Sequence, residues 1–324
     1  MTPDRYEVSP AGRRRLTGNL QRRNSKLWMS VEGGFALGGA FVAIGVVMIL
    51  VGTRVLIVYL PPGGIDWNVT LLGVGFALAG LACWGTAWGQ LTGNRSRLEA
   101  TRRHPNEPAL ADYRWHPDGF EVSEWSALAK SLGGMAFATV FLSALTWFAF
   151  SAKDRIFKAV AIIFDCVLMF GWWHTARQLG RALKFGHSRV EFGSFPCRLP
   201  NPVVIRWQPF GRINRVNKGT FTLRCVEEFG ESHGSGKNRT VTLVHEEIWS
   251  AKWILEQPRN LQLKDKVELR YELPTDARST QLSADKPVFW ELEVKLDLPG
   301  LDFNETYLVP VYGPAKTAAV ATKV

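Results

Sequence analysis

A glycine-rich stretch in the second half of the chain has the composition of a phosphate-binding loop. It reads Gly230-Glu231-Ser232-His233-Gly234-Ser235-Gly236-Lys237-Asn238. A phosphate-binding loop needs four residues between its outer glycines and a Ser or Thr after the lysine to bind magnesium. Here five residues separate Gly230 from Gly236, and Asn238 follows the lysine. We therefore predict a β-hairpin loop, and no nucleotide or other cofactor.

Histidines and carboxylates occur together in two other places, where acid–base or metal chemistry would need them to converge. His245 precedes Glu246 and Glu247, but adjacent strand residues point to opposite faces. A segment over residues 93–129 contains four candidate ligands: His104, Glu107, His116 and Asp118. Their spacing fits neither HExxH nor a paired Cys and His cluster. We predict no catalytic or metal-binding residue, and keep a membrane enzyme with a site in this segment as a third hypothesis.

Asp165 is an acidic residue deep in an apolar run. An ionised carboxylate is costly in hydrocarbon, so such residues usually face the interior of a helix bundle or water. One expectation is a structural hydrogen bond to Thr139, Ser143 or Thr146 of the preceding apolar run. The alternative is ion or proton handling, in a channel or transporter subunit whose soluble part is regulatory. Without a second intramembrane charge or an evident internal repeat, the sequence favours the structural role.

The elements that would position these residues begin with four apolar runs, each long enough to cross a hydrocarbon core of about 30 Å. The predicted spans are 31–53, 67–92, 130–151 and 156–176. Tryptophans near the span ends are predicted to lie at headgroup depth as interfacial anchors. They are Trp28, Trp67, Trp84, Trp88, Trp172 and Trp173. The chain has 46% hydrophobic residues, and its long apolar runs lie between residues 27 and 176, so it is neither disordered nor a single soluble domain.

The net charge of +10 is concentrated beside the apolar runs. Seven Lys and Arg precede Gly33 and six lie in the loop from Gly93 to Lys130, against one between Arg54 and Asp66 and three between Lys153 and Lys158. This bias predicts that both termini and the 93–129 loop are cytoplasmic. We expect the basic flanks to contact anionic lipid headgroups. No nucleic-acid recognition motif accompanies the charge, so no nucleic-acid partner is predicted.

Small residues recur in the first two spans, with Gly34 four residues from Gly38 and Gly85 four residues from Gly89. Such spacing lets helix backbones approach closely. We favour packing within one four-helix bundle, and a homo-oligomer remains open.

Hydrophobic periodicity changes to two in the second half. Trp290, Leu292, Val294 and Leu296 alternate with charged residues, and similar short runs recur between turn signals. The fold class is therefore membrane α plus soluble β: a four-helix bundle followed by an antiparallel β-sandwich of about seven strands. The predicted domains are a basic N-terminal segment, 1–26; a helical domain, 27–185; the sandwich, 186–313; and a flexible tail, 314–324.

The 93–129 loop and the surface of the predicted sandwich are the remaining candidate regions. We expect the 93–129 loop to be turn-rich and to lie along the membrane surface, since proline follows His104 and His116. Surface residues of the sandwich form a candidate interaction surface, namely Arg212, Arg215, His233 and Lys237.

Three stretches near the end of the chain carry a resemblance: Pro287–Val294, Asp297–Phe303 and Tyr307–Tyr312. They are similar to the end of the C-terminal domain in a group of bacterial multi-pass inner-membrane proteins of unknown function. The His-Pro-x-Glu-Pro and Tyr-Arg-Trp sequences before the third span are similar to its middle loop. The resemblance implies a bacterial inner-membrane location and an arrestin-like sandwich, and supplies no catalytic residues.

The leading hypothesis is a non-enzymatic membrane protein. Its four-helix anchor would hold a β-sandwich at the cytoplasmic face to recognise a protein partner. Such a chain would act as an adaptor or as a subunit of a membrane complex. The expected partners are the lipid bilayer and an as yet unspecified protein.

Overall fold

The chain folds into two compact units in a computed structural model. The structure describes residues 3–9, 12–17, 31–56, 64–103, 109, 112–113, 115–151, 155–209, 213–233, 240–261, 265–282, 284 and 286–314. One unit, here called the helical unit, comprises Trp28–Asn94 and Trp125–Ala182. The other, here called the β unit, comprises Met1–Leu27, Arg95–Glu124 and Leu183–Val324. The predicted tail beyond residue 314 lies outside the described residues.

Four long helices follow one another before most of the strands. They are α1 (Val31–Gly52), α2 (Trp67–Arg103), α3 (Glu124–Ser151) and α4 (Arg155–Phe185). Each contains a stretch long and apolar enough to cross a membrane, by length and composition. The prediction of four apolar helices is confirmed. The last three helices extend beyond the predicted spans, because a helix continues through polar residues that hydropathy does not count as membrane-spanning.

Glycines bring α1 and α2 into backbone contact. Gly38 and Gly45 of α1 are seven residues apart, as are Gly73 and Gly80 of α2. A Cβ added to Gly38 would lie 2.8 Å from the carbonyl oxygen of Gly80, and one added to Gly73 would lie 2.7 Å from that of Gly45. Real Cβ atoms do not approach so closely, so glycine is required at these crossings.

Of the two glycine pairs spaced four residues apart in the sequence, only the pair in α1 is buried. Gly34 and Gly38 are buried in α1. Gly85 and Gly89 face open space instead, with nothing within 4 Å of an added Cβ. Contacts between α1 and α2 therefore follow a repeat of seven residues rather than four.

Polar side chains join α3 to α4. Ser131 and Thr175 share a hydrogen bond of 2.9 Å between their hydroxyls. Farther along the pair, Trp172 Nε1 donates to Thr139 Oγ1 at 3.1 Å. Many apolar side chains of α4 face outward, for example Phe170 at 72% exposure. This outward apolar surface belongs to a helix that is long and apolar enough to cross a membrane.

Fourteen strands are present in the described residues. They are β1 (Arg5–Val8), β2 (Arg14–Arg15), β3 (Phe120–Ser123), β4 (His187–Phe192), β5 (Cys197–Arg198), β6 (Val203–Pro209), β7 (Ile213–Val216), β8 (Lys218–His233), β9 (Thr240–Leu255), β10 (Arg259–Leu261), β11 (Val267–Tyr271), β12 (Val288–Asp297), β13 (Phe303–Val309) and β14 (Val311–Tyr312). A six-stranded sheet has the order β1-β9-β8-β12-β13, with β2 also on β9. A four-stranded sheet has the order β11-β6-β4-β3. Two short pairs, β10-β7 and β14-β5, complete the largely antiparallel region, in which β14-β5 is parallel.

Inward side chains from both larger sheets form one core. The apolar half of the predicted alternation on β12 is confirmed, since Trp290, Leu292, Val294 and Leu296 are all buried, but Glu291 is buried too instead of facing solvent. Three polar side chains of this core are paired: Trp207 Nε1 donates to Tyr307 Oη at 3.1 Å, and Tyr307 Oη donates to Ser188 at 2.6 Å. Burial raises the pKa of Tyr307 well above its ordinary value. These three side chains therefore satisfy one another within the core.

The segment between α2 and α3 belongs to the β unit where it is described. Asp112 accepts a hydrogen bond from the Leu282 backbone at 2.7 Å and one from Tyr312 Oη at 3.3 Å. Trp115 Nε1 donates to the same Tyr312 hydroxyl at 3.2 Å, and β3 pairs with β4. We expected this loop to lie along a membrane surface. Residues 112–113 and 115–123 are built into the β unit through a buried carboxylate and a strand, which turn signals do not reveal.

Two stretches of the β unit thus come from parts of the sequence assigned elsewhere. The N-terminal segment contributes β1 and β2, and the middle loop contributes β3. These strands are only two to four residues long. Segments this short carry almost no periodic signal, so their pairing depends on long strands distant in the sequence.

Candidate functional site

The long β8–β9 hairpin positions a cluster of charged side chains. Its strands pair from Gly219 opposite Leu255 to His233 opposite Thr240, with a bulge after Cys225. In this register Glu228 lies opposite His245, and Glu227 lies opposite Glu246. Successive residues alternate faces, so the two pairs lie on opposite sides of the sheet.

His245 and Glu228 form a buried hydrogen-bonded pair. The ring Nε2 lies 2.8 Å from Glu228 Oε2, and the side chains are 2% and 0% exposed. The imidazole also meets Phe289 edge to face, with 5.8 Å between ring centroids. A His–carboxylate pair has the geometry for proton transfer, but a pair this deep admits no substrate. We assign it a structural role in fixing the hairpin on β12.

Glu227 of β8 and Glu246 of β9 place two carboxylates directly opposite each other on one face of the sheet. Their side chains are 12% and 15% exposed. Arg13 reaches both: its Nη1 lies 3.0 Å from Glu246 Oε2 and 3.5 Å from Glu227 Oε2. Arg278 lies 3.7 Å from Glu227. This cluster, here called the acidic pair, holds a guanidinium between two carboxylates.

Arg13 belongs to an N-terminal strap, defined as residues 3–9 and 12–17, that lies along the outer edge of β9. Arg5 to Val8 pair with Ile254 to Ala251, and Arg14 and Arg15 pair with Glu247 and Glu246. Beyond β2, the Leu16 backbone donates to the carbonyl of His245 at 2.9 Å. The strap thus adds a discontinuous strand to a sheet edge.

Several side chains hold the strap besides Arg13, including Glu7, whose Oε2 lies 2.8 Å from Lys252 Nζ. Tyr6 packs against Trp253 with 4.6 Å between ring centroids, and burial raises its pKa. Arg15 Nη1 lies 3.0 Å from Glu231 Oε2 on β8. Aromatic, basic and backbone contacts therefore all contribute to the pairing.

A second buried pair lies on the neighbouring strands. Arg224 of β8 donates through Nε to Glu291 Oε1 of β12 at 2.7 Å, and its Nη1 lies 3.5 Å from Glu293. Arg224 and Glu291 are both buried. Since a guanidinium with carboxylate partners satisfies its own donors, this cluster stabilises strand register rather than offering a vacant ligand site.

The structure separates the residues predicted as an interaction surface. Arg215 is exposed in a left-handed backbone conformation, with φ of 54°, and its backbone NH donates to Asn260 at 2.7 Å. His233 is exposed at the end of β8, with Nε2 3.6 Å from Glu231. Arg212 and Lys237 lie outside the described residues. His233 therefore adjoins the strap through Glu231, which also pairs with Arg15, whereas Arg215 lies on β7, which pairs with β10.

No metal centre is formed by the described residues. In that part of the chain, no group of three or more His, Cys, Asp or Glu is arranged to hold an ion. His116 and Asp118 are exposed in a turn, and His104 and Glu107 lie outside the described residues.

The helical unit contains Asp165 and most of the tryptophans that were predicted to be interfacial anchors. Asp165 is partly buried and accepts a hydrogen bond of 3.0 Å from Thr146, one of its three predicted partners. Trp67, Trp84, Trp88, Trp172 and Trp173 are all exposed side chains. Of these, Trp84 donates from its indole nitrogen to the carbonyl of Phe35 at 3.0 Å. Trp28 lies outside the described residues.

Sequence reasoning missed Arg13, Glu227 and Glu228 as members of the cluster. A signal for two of them was present. Centring a hairpin on Gly236 and Lys237 places Glu228 opposite His245 and Glu227 opposite Glu246. Arg13 carried no such signal, because basic residues before an apolar run are read as topology determinants.

The known proteins compared with the chain share little of its sequence. No protein-family model matches the chain, and no curated protein does. Among solved structures the chain is similar to Spo0M, a sporulation control protein from Bacillus subtilis, with 12% sequence identity and a TM-score of 0.25. The match covers 39% of this chain and 48% of that one, so the chain spans about half the length of Spo0M. We therefore argue function from the residues of the site.

Proposed function

We propose that the chain is an integral membrane protein that presents its β unit at the cytoplasmic face of a bacterial inner membrane for recognition of a protein partner. The four apolar helices would be the anchor. The β unit would be a sandwich with the recognition surface on its charged hairpin. In this proposal the chain is an adaptor or a subunit of a membrane complex, and not an enzyme.

The assembly of the β unit from three chain segments carries the proposal. Its strands come from before α1, from between α2 and α3, and from after α4. Segments that share one sheet must lie on the same side of a membrane, since no hydrocarbon can separate paired strands. Each pair of consecutive helices, α1 with α2 and α3 with α4, must then cross the membrane an even number of times. This supports two hairpins of spans, with both termini and the middle segment on one side.

The charge distribution supports the cytoplasm as that side. The three segments of the β unit carry most of the basic residues that flank the helices, whereas the connection from Arg54 to Asp66 carries one. Strand pairing and loop charge are independent observations, because pairing depends on backbone hydrogen bonds and the charge bias depends on the Lys and Arg content of the loops.

Protein recognition is favoured over catalysis by the form of the site. The His245–Glu228 pair is buried, while the exposed side chains of Arg13 and Arg15 belong to the segment that lies along the edge of β9. Strand edges bind extended segments of other proteins through main-chain hydrogen bonds. The β9 edge already accepts such a segment from its own N-terminus.

Cysteine labelling tests the topology. Gly64, before α2, and Thr275, in the β unit, are exposed positions. In a background where the four native cysteines are replaced by serine, an impermeant maleimide added to spheroplasts should label Gly64→Cys, and Thr275→Cys only after permeabilisation. Labelling of both positions before permeabilisation would contradict the proposal.

Photo-crosslinking in cells tests partner recognition. A crosslinking amino acid at His233 or Arg215 should capture a specific protein, while the same amino acid at Glu268, an exposed residue on β11, serves as the matched control. Capture of the chain alone from all three positions would contradict the adaptor role and favour a self-contained oligomer.

A further inference from the structure

We propose that the β9 edge is the docking site for a basic, extended segment of a partner protein, and that the N-terminal strap occupies this edge until the partner replaces it. The inference rests on the proposed function, in which the β unit recognises a protein. It identifies the surface, the binding mode and the chemistry of the bound segment.

The acidic pair requires a cation. Glu227 and Glu246 are directly opposite on neighbouring strands. Like charges in that arrangement destabilise a sheet. Arg278 lies 3.7 Å from Glu227 alone, whereas Arg13 reaches both carboxylates. An incoming strand that lacks a basic residue here would leave the repulsion in place, so the edge selects for Arg or Lys.

The contacts of the strap suit exchange. Its paired strands are four and two residues long. The side chains of Arg13 and Arg15 are 57% and 60% exposed, so a basic residue of an incoming segment can replace either of them beside its carboxylate partner. Because the strap precedes α1 in the same chain, its own pairing is intramolecular and needs no strong contacts to persist.

The strap defines the sequence pattern of a replacement. An aromatic residue would occupy the position of Tyr6, beside Trp253 and Tyr271. Basic residues at the positions of Arg13 and Arg15 would meet the acidic pair and Glu231. The segment would run antiparallel to β9, as β1 and β2 do.

Peptide exchange on the full-length chain in detergent micelles tests the inference. The probe is a fluorescent peptide of residues 3–17. The receptor variant is Arg13→Glu/Arg15→Glu, which weakens the strap in place and leaves the acidic residues of β8 and β9 intact. We expect the probe to bind this variant at least ten-fold more tightly than the unsubstituted chain. A control peptide carrying the same two Arg→Glu substitutions should bind at least ten-fold more weakly than the probe.

A locked receptor provides the second arm. Glu7 and Lys252 are opposite each other in the β1–β9 register. In the cysteine-free background, an intramolecular disulfide in Glu7→Cys/Lys252→Cys should abolish probe binding, and reduction should restore it. A disulfide between two chains would identify a second copy as the occupant and overturn assignment to a different protein.

Hydrogen exchange at Arg5 to Val8, measured on the Arg13→Glu/Arg15→Glu variant, decides the remaining outcomes of the peptide experiment. Loss of protection there in the Arg13→Glu/Arg15→Glu variant, without selective probe binding, overturns the docking site. Retained protection shows that the strap does not exchange and overturns the proposal as well. Partner capture at His233 combined with either result would keep the proposed function and reject only this edge.

Discussion

Thr146 donates a hydrogen bond of 3.0 Å from Oγ1 to Oδ1 of Asp165, joining α3 to α4 within the helical unit. Asp165 therefore has a partner on the neighbouring helix, along the same pair of helices as the Thr139–Trp172 and Ser131–Thr175 contacts. We propose that this carboxylate serves helix packing, the structural alternative to ion handling.

Substitution of Asp165 separates those alternatives. Asp165→Asn retains an acceptor for Thr146, so we expect unchanged stability and unchanged proton flux in proteoliposomes. Asp165→Leu and Thr146→Val should each destabilise the helical unit by about 0.6 to 1.7 kcal/mol, the range for one interhelical hydrogen bond in a membrane. Thermal unfolding in detergent measures the stability. A change in flux for Asp165→Asn alone would instead support a channel or transporter.

The buried His245–Glu228 pair should show strong coupling. Replacing either residue by Leu leaves the other buried group without this hydrogen bond, at a cost of about 1 to 3 kcal/mol. The double Leu variant should be less destabilised than the sum of the single variants, because no lone polar group remains from the pair. Denaturant unfolding of the four proteins gives the coupling energy, and additive effects would contradict the assigned role.

Alkaline pH should destabilise the β unit through its buried thiols. Burial raises the pKa of Cys197 and of Cys225 to about 12, from an ordinary value of about 8.5. A folded-state pKa above the unfolded value means that the unfolded chain loses the proton first. The associated stability is complete below pH of about 8.5 and is lost progressively from there toward pH 12.

A matched variant isolates that effect. Cys197→Ala/Cys225→Ala removes both titrating groups, so its stability should change less between pH 8.5 and about 10, where ordinary tyrosines begin to titrate. Denaturant unfolding of both proteins across this window measures the difference in slope. Equal slopes would show that the two thiols do not contribute.

The elements that hydropathy and alternation specify locally were predictable from sequence. Four helices follow from long apolar runs, and β12 follows from its alternation from Trp290 to Leu296. In both cases the hydrophobic pattern of the element's own residues specifies its secondary structure, so no distant segment is needed to predict it.

The candidate site depends on pairing between distant segments, and this explains why it was mostly missed. Arg13 meets Glu246 across 233 positions of sequence. Asp112 meets Leu282 across 170. No local pattern encodes such contacts, because the strap and the middle segment take their conformation from the long strands on which they lie.

Charged substitutions in β12 test whether the two units are independent. Trp290 and Leu292 are fully buried, and Trp290 Nε1 donates to the carbonyl of Arg278 at 2.7 Å. Trp290→Asp or Leu292→Asp should unfold the β unit, because an unpaired carboxylate would enter the core. Limited proteolysis should then degrade the β unit while carbonate extraction leaves the helices in the membrane fraction. Lys295→Ala, at an exposed site on the same strand, should change neither, and loss of membrane insertion in the Asp variants would contradict independence.

Alanine substitution of glycines in α1 and α2 distinguishes required glycines from permissive ones. A Cβ on Gly45 would lie 2.5 Å from the backbone of Gly73, so Gly45→Ala must force the two helices apart and lose their close packing. A Cβ on Gly89 meets nothing within 4 Å, and alanine favours a helix over glycine by about 1 kcal/mol. We therefore expect Gly45→Ala to lower the thermal stability of the detergent-solubilised chain and Gly89→Ala to leave it unchanged or raise it. Destabilisation by Gly89→Ala would instead indicate that this face of α2 packs against another copy, as the spacing of Gly85 and Gly89 allows.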